Sequence, residues 1–126
     1  KIGQEPDAAE ISVEDQELAA LRREVANTHV SGEVVGYIVE LITATRNNEN
    51  ILRGASPRAT LAVTAMAKAV AQLRGRDYVV PRDVQEVFRK TVAHRLLMTP
   101  KAEGSGMTAE KVLSVIASAV PAPRLR

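Results

Sequence analysis

The sequence predicts an all-α domain, a small bundle of about five helices with at most a very short β ribbon. Three observations carry that expectation. Hydrophobic residues make up 45% of the chain but aromatic residues only 2%. A core of Leu, Val, Ile and Ala suits close-packed helices better than a sheet. Apolar residues recur at spacings of three and four through most of the chain. Helix start and stop signals bracket those stripes. A length of 126 residues suits one domain and allows a real core without disulfides, which the lack of cysteine forbids.

Residues 1–11 contain Gly3 and Pro6 with no periodicity and read as a loose leading segment. A first helix starts at Ser12, which with Asp15 forms an S-x-x-D capping pattern, and Leu18, Leu21 and Val25 supply its stripe. It fades near Asn27, and Thr28 to Val30 reads as a short extended link. A second helix takes Ser31 as N-cap and Glu33 in its first turn. Its expected apolar face is Val34, Val35, Ile38, Leu41 and Ile42, and the run Asn47–Asn50 stops it.

A third helix runs from about Ser56 to Arg74, with an expected core stripe of Leu61, Ala62, Ala65, Met66, Ala69 and Leu73. Gly75 follows, where a left-handed residue often ends a helix. Tyr78 to Val80 is extended because the residue before Pro81 is pushed out of the α region. Pro81 opens a fourth helix whose stripe is Val84, Val87, Phe88, Val92 and Leu96. Pro100, Gly104 and Gly106 mark residues 99–107 as a flexible linker. Thr108 caps a last helix with Val112, Leu113, Ile116 and Val120 inward. The domain thus spans residues 12–98, with residues 108–126 as its final helix and tail. The two extended pieces, Thr28–Val30 and Tyr78–Val80, are candidates to pair as a tiny ribbon.

The net charge of +2 is small but uneven. Residues 1–24 carry seven acids and residues 68–95 seven bases. That asymmetry fits a nucleic-acid surface, a charged subunit interface or two solvated faces of a bundle. Tyr78 and Phe88 fall within that stretch but read as core members, so no exposed aromatic residue is expected to interleave the bases, which argues against nucleic acid. No apolar run is long enough to span a bilayer, and nothing resembles a signal peptide, so the expectation is a cytoplasmic domain with no membrane partner.

The chain contains no G-x-x-x-x-G-K-[ST] loop to cradle phosphates and no acidic pair ending a hydrophobic run to hold Mg²⁺. His29 and His94 stand far apart without ligand spacing, so no metal site is expected. The polar residues of this sequence do not on their own describe an enzyme.

One segment stands out: Gly54-Ala55-Ser56-Pro57-Arg58-Ala59. Ser56 is a good N-cap and Pro57 a good N1 residue, which puts Arg58 at N2. A cation at a helix N-terminus is disfavoured by about 0.3–1 kcal/mol. An anion brought there would reverse the sign, meeting free backbone donors and a guanidinium fork together. The alternative is an arginine that bends away into solvent.

This segment matches the GASPRA signature of the lid helix in MoxR-type AAA+ ATPases. Further matches follow in the family's order: Ala67-Lys68-Ala69, then Gly75-Arg76-Asp77-Tyr78-Val79-Val80-Pro81 with Asp83-Val84, then His94-Arg95-Leu96. Upstream, Val30-Ser31, Tyr37-Ile38-Val39 and Thr45-Arg46 also resemble the family's lid. The resemblance covers about residues 12–98, more loosely the last helix. It implies that Arg58 is the sensor-2 arginine, reaching ATP on a core this chain lacks, with Gly54, Ala55, Ser56 and Pro57 shaping its approach. It implies ATP with Mg in a full-length ring-forming ATPase, and no cofactor bound by this chain alone. Its partners would be the AAA+ core, neighbouring subunits and client proteins, often ones with von Willebrand A domains. The chain departs from the family at Val80 and Arg82, where a hydroxyl cap and an acid are common. His94 and Arg95 either contact a neighbouring subunit or offset the carbonyl end of a helix. Two rivals remain beside this reading: a nucleic-acid-binding helical module, and a plain adaptor or oligomerisation domain.

Overall fold

The structure, a computed structural model, describes residues 13–124. In chain order it runs α1 (Val13–Ala26), α2 (Gly32–Arg46), β1 (Ile51–Arg53), α3 (Pro57–Leu73), α4 (Pro81–Val92), a 3₁₀ turn (Ala93–Arg95), β2 (Leu97–Met98), α5 (Pro100–Gly104) and α6 (Ala109–Ala119). The bundle is helical as expected, with six helices among the described residues and one two-stranded ribbon. The expected cap at Ser12 lies outside the described residues.

The α2 start forms as the sequence predicts, with Ser31 Oγ accepting from the Val34 N–H at 3.2 Å. Its inner face holds Val34, Tyr37, Ile38, Leu41 and Ile42, all buried, and continues to Thr45. Val35 was expected in this face but is 40% exposed. The buried stripe centres on Ile38, Leu41 and Thr45, and Val35 falls at its margin.

The largest correction concerns α3. Its buried residues are Ala59, Val63, Ala67 and Ala71. The expected stripe faces outward, with Leu61 72%, Met66 49% and Leu73 83% exposed. Apolar residues line both sides of this helix, so periodicity could not choose between them. Packing chose the side with three alanines, because small side chains let α3 approach α4 closely. The α3 C-terminus matches expectation. Gly75 adopts φ +74°. The Arg76 N–H reaches Ala71 O at 2.9 Å and the Gly75 N–H reaches Gln72 O at 3.0 Å, a Schellman ending.

Val84, Val87, Phe88 and Val92 of α4 are buried against α3 and α6, while Leu96 lies beyond the helix and is half-buried. His94 and Arg95 sit in the exposed 3₁₀ turn that follows.

Residues 99–107 were expected to form a linker but hold a helix. Thr99 Oγ1 caps α5 by accepting from the Ala102 N–H at 3.1 Å, and Ala102 is buried. Gly106 at φ +79° ends the turn, with the Met107 N–H on Ala102 O at 2.9 Å. The glycines that suggested flexibility include this helix-ending residue. Thr108 caps α6 as expected, and Val112, Leu113 and Ile116 are buried.

The expected ribbon reduces to one parallel bridge between His29 and Tyr78. The His29 N–H donates to Asp77 O at 2.8 Å and the Val79 N–H to His29 O at 2.9 Å. The actual ribbon is β1 with β2, antiparallel, pairing Ile51 with Met98 and Arg53 with Leu97 across an irregular register. It delivers the chain from α2 to Gly54 and ties that approach to the segment following α4.

Candidate functional site

The segment Gly54–Arg58 crosses from β1 to α3 directly beside the last turn of α2. Thr45, fully buried on the inner stripe of α2, accepts from the Ala55 N–H through Oγ1 at 3.0 Å. The same hydroxyl donates to Ile42 O at 2.6 Å. The next residue, Arg46, donates from Nε to Ala55 O at 3.0 Å. Two consecutive residues of α2 therefore hold both backbone groups of Ala55.

Gly54 is required by this approach. A Cβ there would lie 2.7 Å from Thr45 O and 2.8 Å from Arg46 Cα. Both are backbone atoms that cannot step aside. The tight packing that the sequence placed at Gly54 is thus against α2. Ala55 is 1% exposed, so its side chain belongs to the core.

Ser56 occupies the N-cap position with φ −76° and ψ 167°, but its side chain makes no capping hydrogen bond. The Ala59 N–H closes instead onto Ser56 O at 2.9 Å. Pro57 at N1 has no N–H to satisfy. Arg58 follows, exposed, its side chain making no hydrogen bond or ion pair among the described residues. The site therefore presents an unengaged guanidinium at a helix start that lacks its side-chain cap.

Successive turns of α3 beyond Arg58 carry Leu61, Ala65 and Lys68 on the same side. With Thr64 of α3 and Arg22, Val25 and Ala26 of α1 they line an open groove of about 420 Å³. Gln72 joins the two helices lower down, donating to Glu24 O of α1 at 3.3 Å and to Thr28 Oγ1, just past α1, at 2.9 Å. The chain matches the family profile described as "AAA lid domain" over residues 43–116, more than half its length. The chain belongs to the AAA lid domain family. Its relatives mark the lid as MoxR-type. It is 34% identical to Chaperone MoxR1 of Mycobacterium tuberculosis, covering 99% of this chain and 36% of that protein. It is 39% identical to the uncharacterized protein YeaC of Bacillus subtilis, covering 82% of this chain and 32% of that one. A crystal structure from Cytophaga hutchinsonii, of a protein put forward as an ATPase, superposes with a TM-score of 0.83 at 30% identity. That match covers 87% of this lid and 36% of the solved chain. The lid thus spans about a third of the length of these relatives.

A second polar centre lies at the other end of α3. Arg76 donates from Nη1 to Asp83 Oδ2 and from Nη2 to Asp83 Oδ1, both at 2.7 Å. The Asp83 carboxylate is fully buried and also accepts from the Val80 N–H at 2.9 Å. Val80 offers no hydroxyl, so half of a capping box remains, and Asp83 supplies it. Burial alone would raise the Asp83 carboxyl. The Arg76 hydrogen bonds, the Val80 amide and the charges of Arg76 and Arg74 overcome that and leave it below its ordinary value. Arg76 is raised in turn, chiefly by its hydrogen bonds to Asp83. Its guanidinium also sits 5.7 Å from the centre of the half-exposed Tyr78 ring.

This centre explains part of the basic stretch. Arg76 is engaged with Asp83, Arg74 with Glu86 at 2.6 Å, and Arg82 with Glu86 at 3.6 Å. Arg89 donates to Ser114 of α6 at 3.1 Å. Asp83 is expected from the sequence to open α4 beside Pro81, but its pairing with Arg76 and the role of Thr45 were not foreseen. Thr45 carried a signal: it is a polar residue in the apolar stripe Val34, Ile38, Leu41 of α2. Among the described residues no group of three or more His, Cys, Asp or Glu could hold a metal ion, and no helix is long and apolar enough to cross a membrane.

Proposed function

We propose that this lid serves a AAA+ ATPase by carrying a sensor-2 arginine, Arg58, to ATP bound on a separate nucleotide-binding core. The observation that carries the proposal is Arg58 itself, exposed, without a protein partner, at an uncapped helix start whose loop is pinned to α2. Arg58 would be the group of this chain that touches the nucleotide. Its planar fork suits phosphate oxygens, and the open end of α3 adds a favourable dipole once an anion arrives. The nucleotide, with Mg held by residues of the core, supplies the phosphoryl group. Arg58 binds and orients it and offsets charge as the bond to the leaving group breaks.

The face of α3 with Arg58, Leu61 and Ala65 is the surface through which the lid would meet that core. Movement of the lid as a rigid body would then couple nucleotide state to remodelling of client proteins in a cytoplasmic ring, in line with a relative named as a chaperone. Clients with von Willebrand A domains fit the same proposal.

The test is steady-state ATP hydrolysis by the full-length protein with Arg58→Ala or Arg58→Lys. Loss of a charged hydrogen bond strengthened in the transition state lowers turnover about ten- to a hundredfold. Lys rescues only part, because a point charge lacks the fork. Normal hydrolysis by Arg58→Ala with an unchanged melt would end the proposal.

A further inference from the structure

We infer that Thr45 and Arg46 are positioning residues for Arg58: together they fix the backbone of Ala55, three residues upstream, and so set where the arginine points. The inference rests on the proposed role of Arg58. Its geometry does not.

A single hydrogen bond to a loop leaves the peptide free to swing about it. Here the Ala55 N–H is held by Thr45 Oγ1 at 3.0 Å and the Ala55 C=O by Arg46 Nε at 3.0 Å. The two grips lie on opposite edges of one residue and start from neighbouring positions on one helix. Gly54 brings the backbone close enough for both, since any Cβ would strike Thr45 O and Arg46 Cα. Thr45 is itself fixed, fully buried and donating to Ile42 O at 2.6 Å, so its oxygen faces Ala55 with a lone pair. From Ala55 the chain reaches Arg58 through Ser56 and Pro57. Pro57 has a locked φ, and Ser56 is held by the Ala59 N–H on its carbonyl. Ser56 does not cap α3 with its side chain, so the start of the helix depends on this clamp. Rotation at Ala55 is carried to Arg58, and a displacement of about 1 Å is enough to cost catalysis heavily.

The chemistry requires both groups as they are. A valine at 45 keeps the shape and loses the acceptor. A serine keeps the acceptor. A methionine at 46 keeps the stem and loses the donor.

The test uses the full-length ATPase carrying this lid, with Thr45→Val, Thr45→Ser, Arg46→Met and Arg58→Ala alone and in pairs. ATP turnover, KM and the thermal melt are recorded for each, with hydrogen exchange at the Ala55 amide. Thr45→Val and Arg46→Met each lower kcat by about five- to tenfold, the scale of one lost hydrogen bond. Thr45→Ser stays close to the unmodified protein. In the Arg58→Ala background neither change lowers turnover further, because both act through the residue already removed. Exchange at Ala55 speeds up in Thr45→Val.

Losses that multiply with that of Arg58→Ala would overturn the inference, as would normal turnover in Thr45→Val or a failure of Thr45→Ser to hold activity. If Arg58→Ala itself turns over normally, the sensor reading fails and takes this one with it. If Arg58→Ala is impaired and the clamp variants are additive, the clamp inference alone fails. Should Thr45→Val melt below assay temperature, Arg46→Met decides, since Arg46 is an exposed residue.

Discussion

Arg76 and Asp83 meet in a two-point ion pair whose carboxylate has no exposure to solvent, although one residue lies past the end of α3 and the other in the first turn of α4. The pair therefore fixes the angle between the two helices that share the most extensive packing in the lid. The planar guanidinium fits the carboxylate in a way that lysine does not.

Removing one partner strands the other. Arg76→Met, which strands the buried Asp83 carboxylate, should cost up to about 3–5 kcal/mol, and Asp83→Ala, which leaves the partly exposed Arg76, should cost less. Chemical denaturation should show a lower midpoint with an unchanged slope. A midpoint within error of the original in Arg76→Met would mean that Arg74, 3.7 Å from Asp83, substitutes fully for Arg76.

Acid should unfold the lid through the same carboxylate. Its pKa is lowered in the folded state. The unfolded chain, with a carboxyl near its ordinary value of about 3.9, binds the proton first as pH falls. The stabilisation is present above that value and is lost as pH drops through the lower folded one. Stability measured against pH should fall across this window. The Asp83→Asn variant, already weaker at neutral pH, should lose that part of the slope. An identical acid limb in both proteins would assign the effect to other carboxylates.

Two changes on α3 separate its faces. Val63→Ala removes buried methyl groups and should cost about 1.5–3 kcal/mol. Leu61→Ala, on the exposed side, should shift stability by less than about 0.5 kcal/mol. Thermal melts of the two variants compare them directly. The larger loss at Leu61 would restore the stripe that periodicity suggested.

That stripe shows where sequence reading reached its limit. Ser31, Gly75, Pro81 and Thr108 announce element boundaries because each meets a local backbone need. The stripes of α4 and α6 are one-sided and were legible. The alanine-rich α3 carries apolar residues on two sides, and only its neighbours decide which of them is buried. Residues 99–107 misled for a related reason: Pro100, Gly104 and Gly106 are loop signals, but Pro100 also starts a helix and Gly106 also ends one. In the candidate site, Arg58 stood out through its motif and its odd electrostatics. The clamp from Thr45 and Arg46 joins residues ten and nine positions apart, a relation that appears only once the chain has turned.

Gly75 carries a positive φ with nothing within 4 Å of a notional Cβ. Gly75→Ala should therefore cost about 1–2 kcal/mol through backbone strain alone. Gly75→Asn should cost less, since Asn tolerates that region better. Equal melting temperatures for all three would show that the turn can rearrange.

The β1–β2 ribbon has a consequence for how copies of this protein behave beside one another. It leaves Leu52 and Leu97 63% and 50% exposed on paired strands. Apolar side chains on an open strand edge are an invitation to self-association. These strands are only three and two residues long, with an irregular register between them. A growing sheet needs a template of six or seven regular residues. The ribbon's brevity denies it one, so crowding of many lids in a concentrated solution is not expected to seed cross-strand aggregation at this edge.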